Sequence, residues 1–198
     1  MYLVFEIIGT IAFAISGAMV AIEKKMDILG VTILGITTAM GGGIIRDVLI
    51  GMVPPAAFAH PQYLIIALLT SLIIFIPAIR KKINLESTFY IFIDALGLAI
   101  FTIVGCQSAL PFSNLWLQVF LGVLTGVGGG VMRDVFAIQK PVIFVKNYYA
   151  VVSLAGAVLY SLLLRKNENL AIYLSLAFII GFRMIAAKRK WQLPKSEK

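Results

Sequence analysis

Apolar residues in this chain neither alternate with polar ones nor recur at helical spacing; they come in blocks. Seven blocks, at about residues 2–21, 30–52, 62–79, 88–107, 115–138, 147–164 and 169–187, approach the roughly 20 apolar residues that a helix needs to cross a bilayer. Only short polar links separate them, so the pattern predicts seven transmembrane helices and leaves no room for a soluble domain. Strands of an outer-membrane barrel would alternate over about ten residues, which these blocks do not. The first block lacks a basic leader and carries Glu6 within its apolar stretch, against the pattern of a cleaved signal. It is expected to stay in the mature protein.

The blocks repeat. A shift of 87 residues lays Gly41, Gly42 and Gly43 on Gly128, Gly129 and Gly130, Arg46 on Arg133, Asp47 on Asp134, and Pro54 on Pro141. A shift of 88 lays Glu6 on Asp94, Gly9 on Gly97, Phe13 on Phe101 and Gly17 on Gly105. Each copy holds three blocks, so the second must enter the membrane from the opposite side. Inverted repeats of this kind are a transport architecture with its pathway near the midplane, at the repeat interface. The expected fold is an all-α integral membrane protein, a single transmembrane domain over 1–198. It divides into repeat one (about 2–80), repeat two (about 88–164), an extra helix (about 169–187) and a basic tail (188–198).

Composition closes off the soluble alternatives. The chain is 61% hydrophobic and 13% charged, with a mean hydropathy of +0.99, against about 45–50% and about 25% in soluble domains. The single Cys106 excludes an internal disulfide framework. The net charge of +8 does not indicate nucleic acid, because the basic residues sit in the links between blocks. Lys24, Lys25, Arg80, Lys81, Lys82, Lys140, Lys146 and the tail fall on one side, whereas only Arg165 and Lys166 fall on the other. The positive-inside rule then places the N-terminus outside and the C-terminus in the cytoplasm, in the cell (inner) membrane. The tail is expected to meet anionic lipid headgroups.

The candidate chemistry lies in the second and fifth blocks, where GGGIIRD and GGGVMRD interrupt apolar sequence. Glycines four apart permit close helix packing. Three in a row also lower helix propensity by about 1 kcal/mol each and suggest helices broken at the triplets. Broken backbone at membrane depth must line a cavity or be buried in protein, and its freed carbonyls attract cations. Intramembrane charges usually pair or face water, so two symmetry-related ion pairs are expected, Glu6–Arg46 and Asp94–Arg133. Asp47 and Asp134 each follow their arginine directly, a spacing that does not share a helix face; they could cap loops or bind cations. Alternatively, the six charges form a neutralising clamp between the repeats. With Arg183 counted, the interior is slightly acidic, which favours cations.

Phe13 and Phe101 could close a path by dewetting or simply pack in the core. Ser16, Thr37, Thr38, Thr102 and Thr125 could line a wet path or bond back to their own helices. Trp116, Tyr148 and Tyr149 suit interfacial anchoring. His60 is the only histidine, and no nucleophile–base or metal-ligand spacing accompanies it; no enzyme and no cofactor is expected.

Two copies of GGGxxRD in seven apolar blocks resemble the prokaryotic branch of the trimeric intracellular cation (TRIC) channel family, bacterial members of which also carry the label "glycine transporter". The resemblance runs from Phe5 to about Ala187. It implies a homotrimer with one pore per subunit, permeable to K⁺ and other monovalent cations. That pore would run along helices two and five past Gly41 to Gly43 and Gly128 to Gly130, beside Arg46, Asp47, Arg133 and Asp134. Any metal would be K⁺ or Na⁺ in transit near the triplets. The runner-up is a carrier for glycine or another small amino acid, since helix N-termini can hold a substrate carboxylate.

Overall fold

A computed structural model describes residues 2–80, 85, 87–145 and 148–191. The chain is helical: α1 (Tyr2–Glu23), α2 (Ile28–Leu49), α3 (Ala56–Ala59), α4 (Pro61–Phe75), α5 (Pro77–Arg80), α6 (Thr88–Ser108), a 3₁₀ turn at Leu110–Phe112, α7 (Leu115–Phe136), α8 (Val142–Val145), α9 (Tyr149–Leu163) and α10 (Glu168–Lys188). Lys81, Lys82, Lys146 and the tail beyond residue 191 lie outside the described residues.

Polar caps set the starts of the long helices. Asp27 accepts from Gly30 N at 2.8 Å, Ser87 from Tyr90 N at 3.1 Å, Asn114 from Leu117 N at 3.1 Å and Asn167 from Leu170 N at 3.0 Å. Each satisfies an amide that the first helical turn leaves unpaired.

Of the seven expected spans, five reach full crossing length. Five helices, α1, α2, α6, α7 and α10, are long and apolar enough to cross a membrane, whereas α4 and α9 have 15 residues each. At 1.5 Å per residue such a helix is about 22 Å long, short of the roughly 30 Å hydrocarbon core. Pro77 ends α4: the residue before a proline is pushed out of the α region, and Ile76 is extended at φ −62°, ψ 123°.

The repeat survives in the packing. Helices α1, α2, α6 and α7 form the centre; α4 lies against α1 and α2 as α9 lies against α6 and α7, and α10 flanks α6 and α9. Phe13 and Phe101 meet in the middle with ring centroids 5.2 Å apart. Phe13 fills the space that Gly97 leaves open, and Phe101 lies beside Gly9.

The glycine triplets do not break their helices. Both α2 and α7 run without interruption through Gly41 to Gly43 and Gly128 to Gly130. The triplets instead let the two helices cross at backbone contact. A Cβ on Gly42 would sit 2.4 Å from the Thr125 carbonyl oxygen, and one on Gly129 would sit 2.1 Å from that of Thr38. Glycine at such a crossing trades propensity for close approach. The threonines on either side bond back to their own helices, Thr38 to Leu34 O and Thr125 to Leu121 O, at 2.6 Å each.

Candidate functional site

At the C-terminal ends of α2 and α7 the two copies of the motif begin alike. Arg46 Nε donates to Asp47 Oδ1 at 2.8 Å, and Arg133 Nε donates to Asp134 Oδ1 at 2.9 Å. Although neighbours in sequence leave a helix in different directions, the long arginine side chain curls back to its own aspartate. The second carboxylate oxygen of each aspartate accepts from the start of the next short helix, Ala56 N at 2.9 Å and Val142 N at 2.8 Å. Both aspartates thus tie down the turn that follows a core helix.

Beyond that shared part the clusters diverge. In the second repeat, Arg133 Nη1 donates to Asp94 Oδ1 at 3.0 Å and also to Ser16 Oγ. Ser16 itself donates to Asp94 at 2.9 Å and lies 3.1 Å from the Tyr90 hydroxyl. Arg133, Asp94 and Asp134 are all buried. Their charges are compensated by close hydrogen bonds, as a buried ion pair requires.

In the first repeat the equivalent pair does not form. Glu6 accepts from the Tyr63 hydroxyl of α4 instead of Arg46, and among the described residues Arg46 pairs only with Asp47. A reason lies in the repeat itself: the position equivalent to Ser16, 88 residues on, is Val104, which has no hydroxyl to bridge acid and arginine. A cavity of about 60 Å³ lies there, lined among others by Glu6, Gly43, Arg46, Tyr63, Phe101 and Val104. It is large enough for a water or a small ion. A Cβ on Gly43 would meet nothing nearer than Arg46 Nη2 at 3.8 Å, so packing does not require glycine here.

The corresponding space beside Gly130 is closed by Tyr149, whose hydroxyl lies 3.6 Å from where a Cβ would stand. Tyr149 is 2% exposed, which corrects its placement at the interface, whereas Trp116 is 82% exposed. The ring of Tyr149 lies under Arg183 of α10, with the guanidinium carbon 4.9 Å from its centroid. Next to it, Tyr148 packs edge-on against Trp191 at 6.1 Å. Sequence reasoning named Ser16 only as one of several hydroxyls and missed Tyr63, Tyr90 and the inward turn of Tyr149. Spacing along the chain carries no signal for a partner on another helix.

The formal charges differ accordingly. Around the first-repeat cavity Glu6 and Asp47 face a single Arg46, an excess of one acid; in the second repeat Arg133 bridges Asp94 and Asp134, and Arg183 adds a positive charge over the neighbouring Tyr149 ring. No group of three or more metal-ligating side chains converges among the described residues. What the arrangement offers is a small, acid-biased cavity at one end of the α2–α7 crossing and a filled, hydrogen-bonded cluster at the other.

Comparison with known proteins places these features. The sequence model of the family described as "Glycine transporter" matches residues 3–78 and 91–165. The chain is 38% identical over 192 residues to the UPF0126 membrane protein YvgT of Bacillus subtilis, covering 96% of this chain and 93% of that one. It superposes on a TRIC cation channel solved to explain conductance with a TM-score of 0.89 at 36% identity, over 98% of this chain and 97% of the other. On the TRIC orthologue from Rhodobacter sphaeroides the TM-score is 0.85 at 29% identity, covering 95% and 97%.

Proposed function

This chain belongs to the TRIC family, whose sequence model carries the description glycine transporter, and from that membership we propose that it is a cation channel. The finer reading is a K⁺-permeable channel with one pore per subunit along α2 and α7, assembled as a homotrimer like the channels it resembles. It sits in the inner membrane with the N-terminus outside and the C-terminus inside. In this reading all seven apolar helices cross, α4 and α9 with the help of their flanking segments.

One observation carries the proposal: the cavity beside the α2–α7 crossing is bordered by Glu6, Asp47, Arg46 and the bare backbone of Gly43. An excess acid in a low-dielectric wall concentrates cations. In the proposed orientation this cavity is the outer vestibule. The Arg133–Asp94–Ser16 cluster, with Tyr149 against Gly130, closes the inner end, so the described conformation is a closed one. The Phe13–Phe101 contact lies between the two and narrows the same path.

Flux of K⁺ from liposomes tests the proposal. Wild-type protein is expected to release K⁺ well above empty vesicles, and an Arg46/Arg133 double mutant to differ from it. Flux no greater than that of empty vesicles contradicts the channel. Saturable, stereospecific uptake of glycine with a fixed coupling ratio would instead make the protein a carrier.

A further inference from the structure

Arg183 of α10 stands apart from the charges in the two clusters. An arginine within an apolar span is costly, and by default it marks function. This one lies little more than a turn before the end of its helix at Lys188, near enough for a long side chain to reach the membrane surface. It turns inward instead. Arg183 is 5% exposed, and its guanidinium carbon stands 4.9 Å from the centroid of the Tyr149 ring. Its Nε and Nη1 are buried and have no hydrogen-bond partner among the described residues. The acids of the second-repeat cluster are already engaged: Asp134 accepts from Arg133, Gln139 and Val142 N, and Asp94 accepts from Arg133 and Ser16.

Such a contact can act in two opposite ways. As a clamp, the guanidinium would hold Tyr149 in place through its cation–π contact. As a spring, it would push the other way, because a buried cation with unmade hydrogen bonds regains them when water arrives. The balance favours the spring. A ring face replaces only part of the hydration that a guanidinium loses, and burying a charge without hydrogen-bonded partners costs more than such a contact returns. The clamp is also supplied by other groups. Phe178, Phe182, Trp191 and Tyr148 form a chain of ring contacts with centroids 5.6, 5.7 and 6.1 Å apart, which ties the start of α9 to α10 without Arg183.

Resting on the channel reading above, we propose that Arg183 is an opening charge. The closed conformation holds its guanidinium dry and unpaired against Tyr149, and water completes its hydrogen bonds when that ring withdraws from Gly130. The closed state thereby carries a cost that the open state does not.

Single-channel recording of wild type, Arg183→Met and Arg183→Lys in bilayers of one composition tests this. Methionine keeps an unbranched stem and a sulfur contact to the ring while removing the charge; lysine keeps the charge. The ratio of open to closed time is expected to fall about tenfold in Arg183→Met, the equivalent of one unmade hydrogen bond to a charged group, and to stay near that of wild type in Arg183→Lys. With wild-type currents present, an unchanged or higher ratio in Arg183→Met overturns this proposal alone, and so does an equal fall in both variants, which would trace the effect to shape. Silence from all three proteins removes the channel reading, and this proposal with it. Thermal unfolding in detergent adds a readout that needs no current. Arg183→Met is expected to unfold at a higher temperature than wild type, whereas a lower midpoint would mean that the arginine stabilises the closed fold and would overturn the proposal.

Discussion

Two ends of the same helix crossing, built from the same seven-residue motif, hold different charge arrangements. At the second-repeat end Arg133 is bonded to Asp94, Asp134 and Ser16, and Tyr149 fills the space beside Gly130. At the first-repeat end Arg46 pairs only with Asp47 among the described residues, Glu6 is held by Tyr63, and a cavity remains beside Gly43. One substitution between the repeats, Ser16 against Val104, accounts for much of the contrast, because the hydroxyl lies between acid and arginine in one copy and is missing in the other. The lesson is that an inverted repeat can keep its scaffold symmetric while leaving one end with a cavity and filling the other with hydrogen-bonded charges, which the proposed channel would use as vestibule and closure. In a symmetric pair of loose ends nothing would hold the path shut; with two tight ends no ion could enter.

The comparison can be broken most severely at Asp94. Asp94→Ala removes one partner of a buried ion pair, a loss worth about 3–5 kcal/mol, and should lower the unfolding midpoint while raising open probability in bilayer recordings. Glu6→Ala, its counterpart, should leave open probability near wild type. Next comes the crossing itself, which both ends share. Gly42→Ala and Gly129→Ala each drive a Cβ against a carbonyl of the other helix and should cost about 1–3 kcal/mol, with similar losses for the two positions in thermal unfolding.

A comparable effect is expected from Ser16→Ala, about 1.5–3 kcal/mol for hydrogen bonds to charged groups, with more frequent opening. The reciprocal Val104→Ser should make the outer end tighter, and an unchanged open probability in both variants would remove the explanation given for the asymmetry. The smallest effect on stability belongs to Gly43→Ala, within about 0.5 kcal/mol as at sites without tight contacts. Because its methyl enters the cavity beside Gly43, the proposed channel should nevertheless lose single-channel conductance. Glu6→Gln sharpens the same point: its cation-over-chloride permeability ratio, read from reversal potentials, should drop while stability barely changes.

Much of this was legible in the sequence, and the failures have physical causes. Blocks of apolar residues and polar caps such as Asp27 and Asn114 locate the helices because both signals are local. The repeat was readable because the charged and glycine positions stay in register over 87 residues. The triplets misled, since intrinsic propensity speaks for a broken helix while burial against a partner favours an unbroken one, and packing won at Gly42 and Gly129. The Asp94–Arg133 pair is present and Glu6–Arg46 is not, because the deciding groups, Ser16 and Tyr63, come from other helices. The short α4 and α9 follow from Pro77 and from the position of Tyr148–Tyr149, where hydropathy alone continues past the helix ends. Tyr149 looked like an interfacial anchor from its place in the chain; only the packing of α10 over it turns it inward.

Recording from planar bilayers under a KCl gradient, with wild-type protein and Asp94→Asn in parallel, tests the account most directly. Discrete openings that reverse near the K⁺ equilibrium potential, more frequent in the variant, are the expected result. A bilayer that stays silent for both proteins, while vesicles carrying them accumulate labelled glycine, would contradict it.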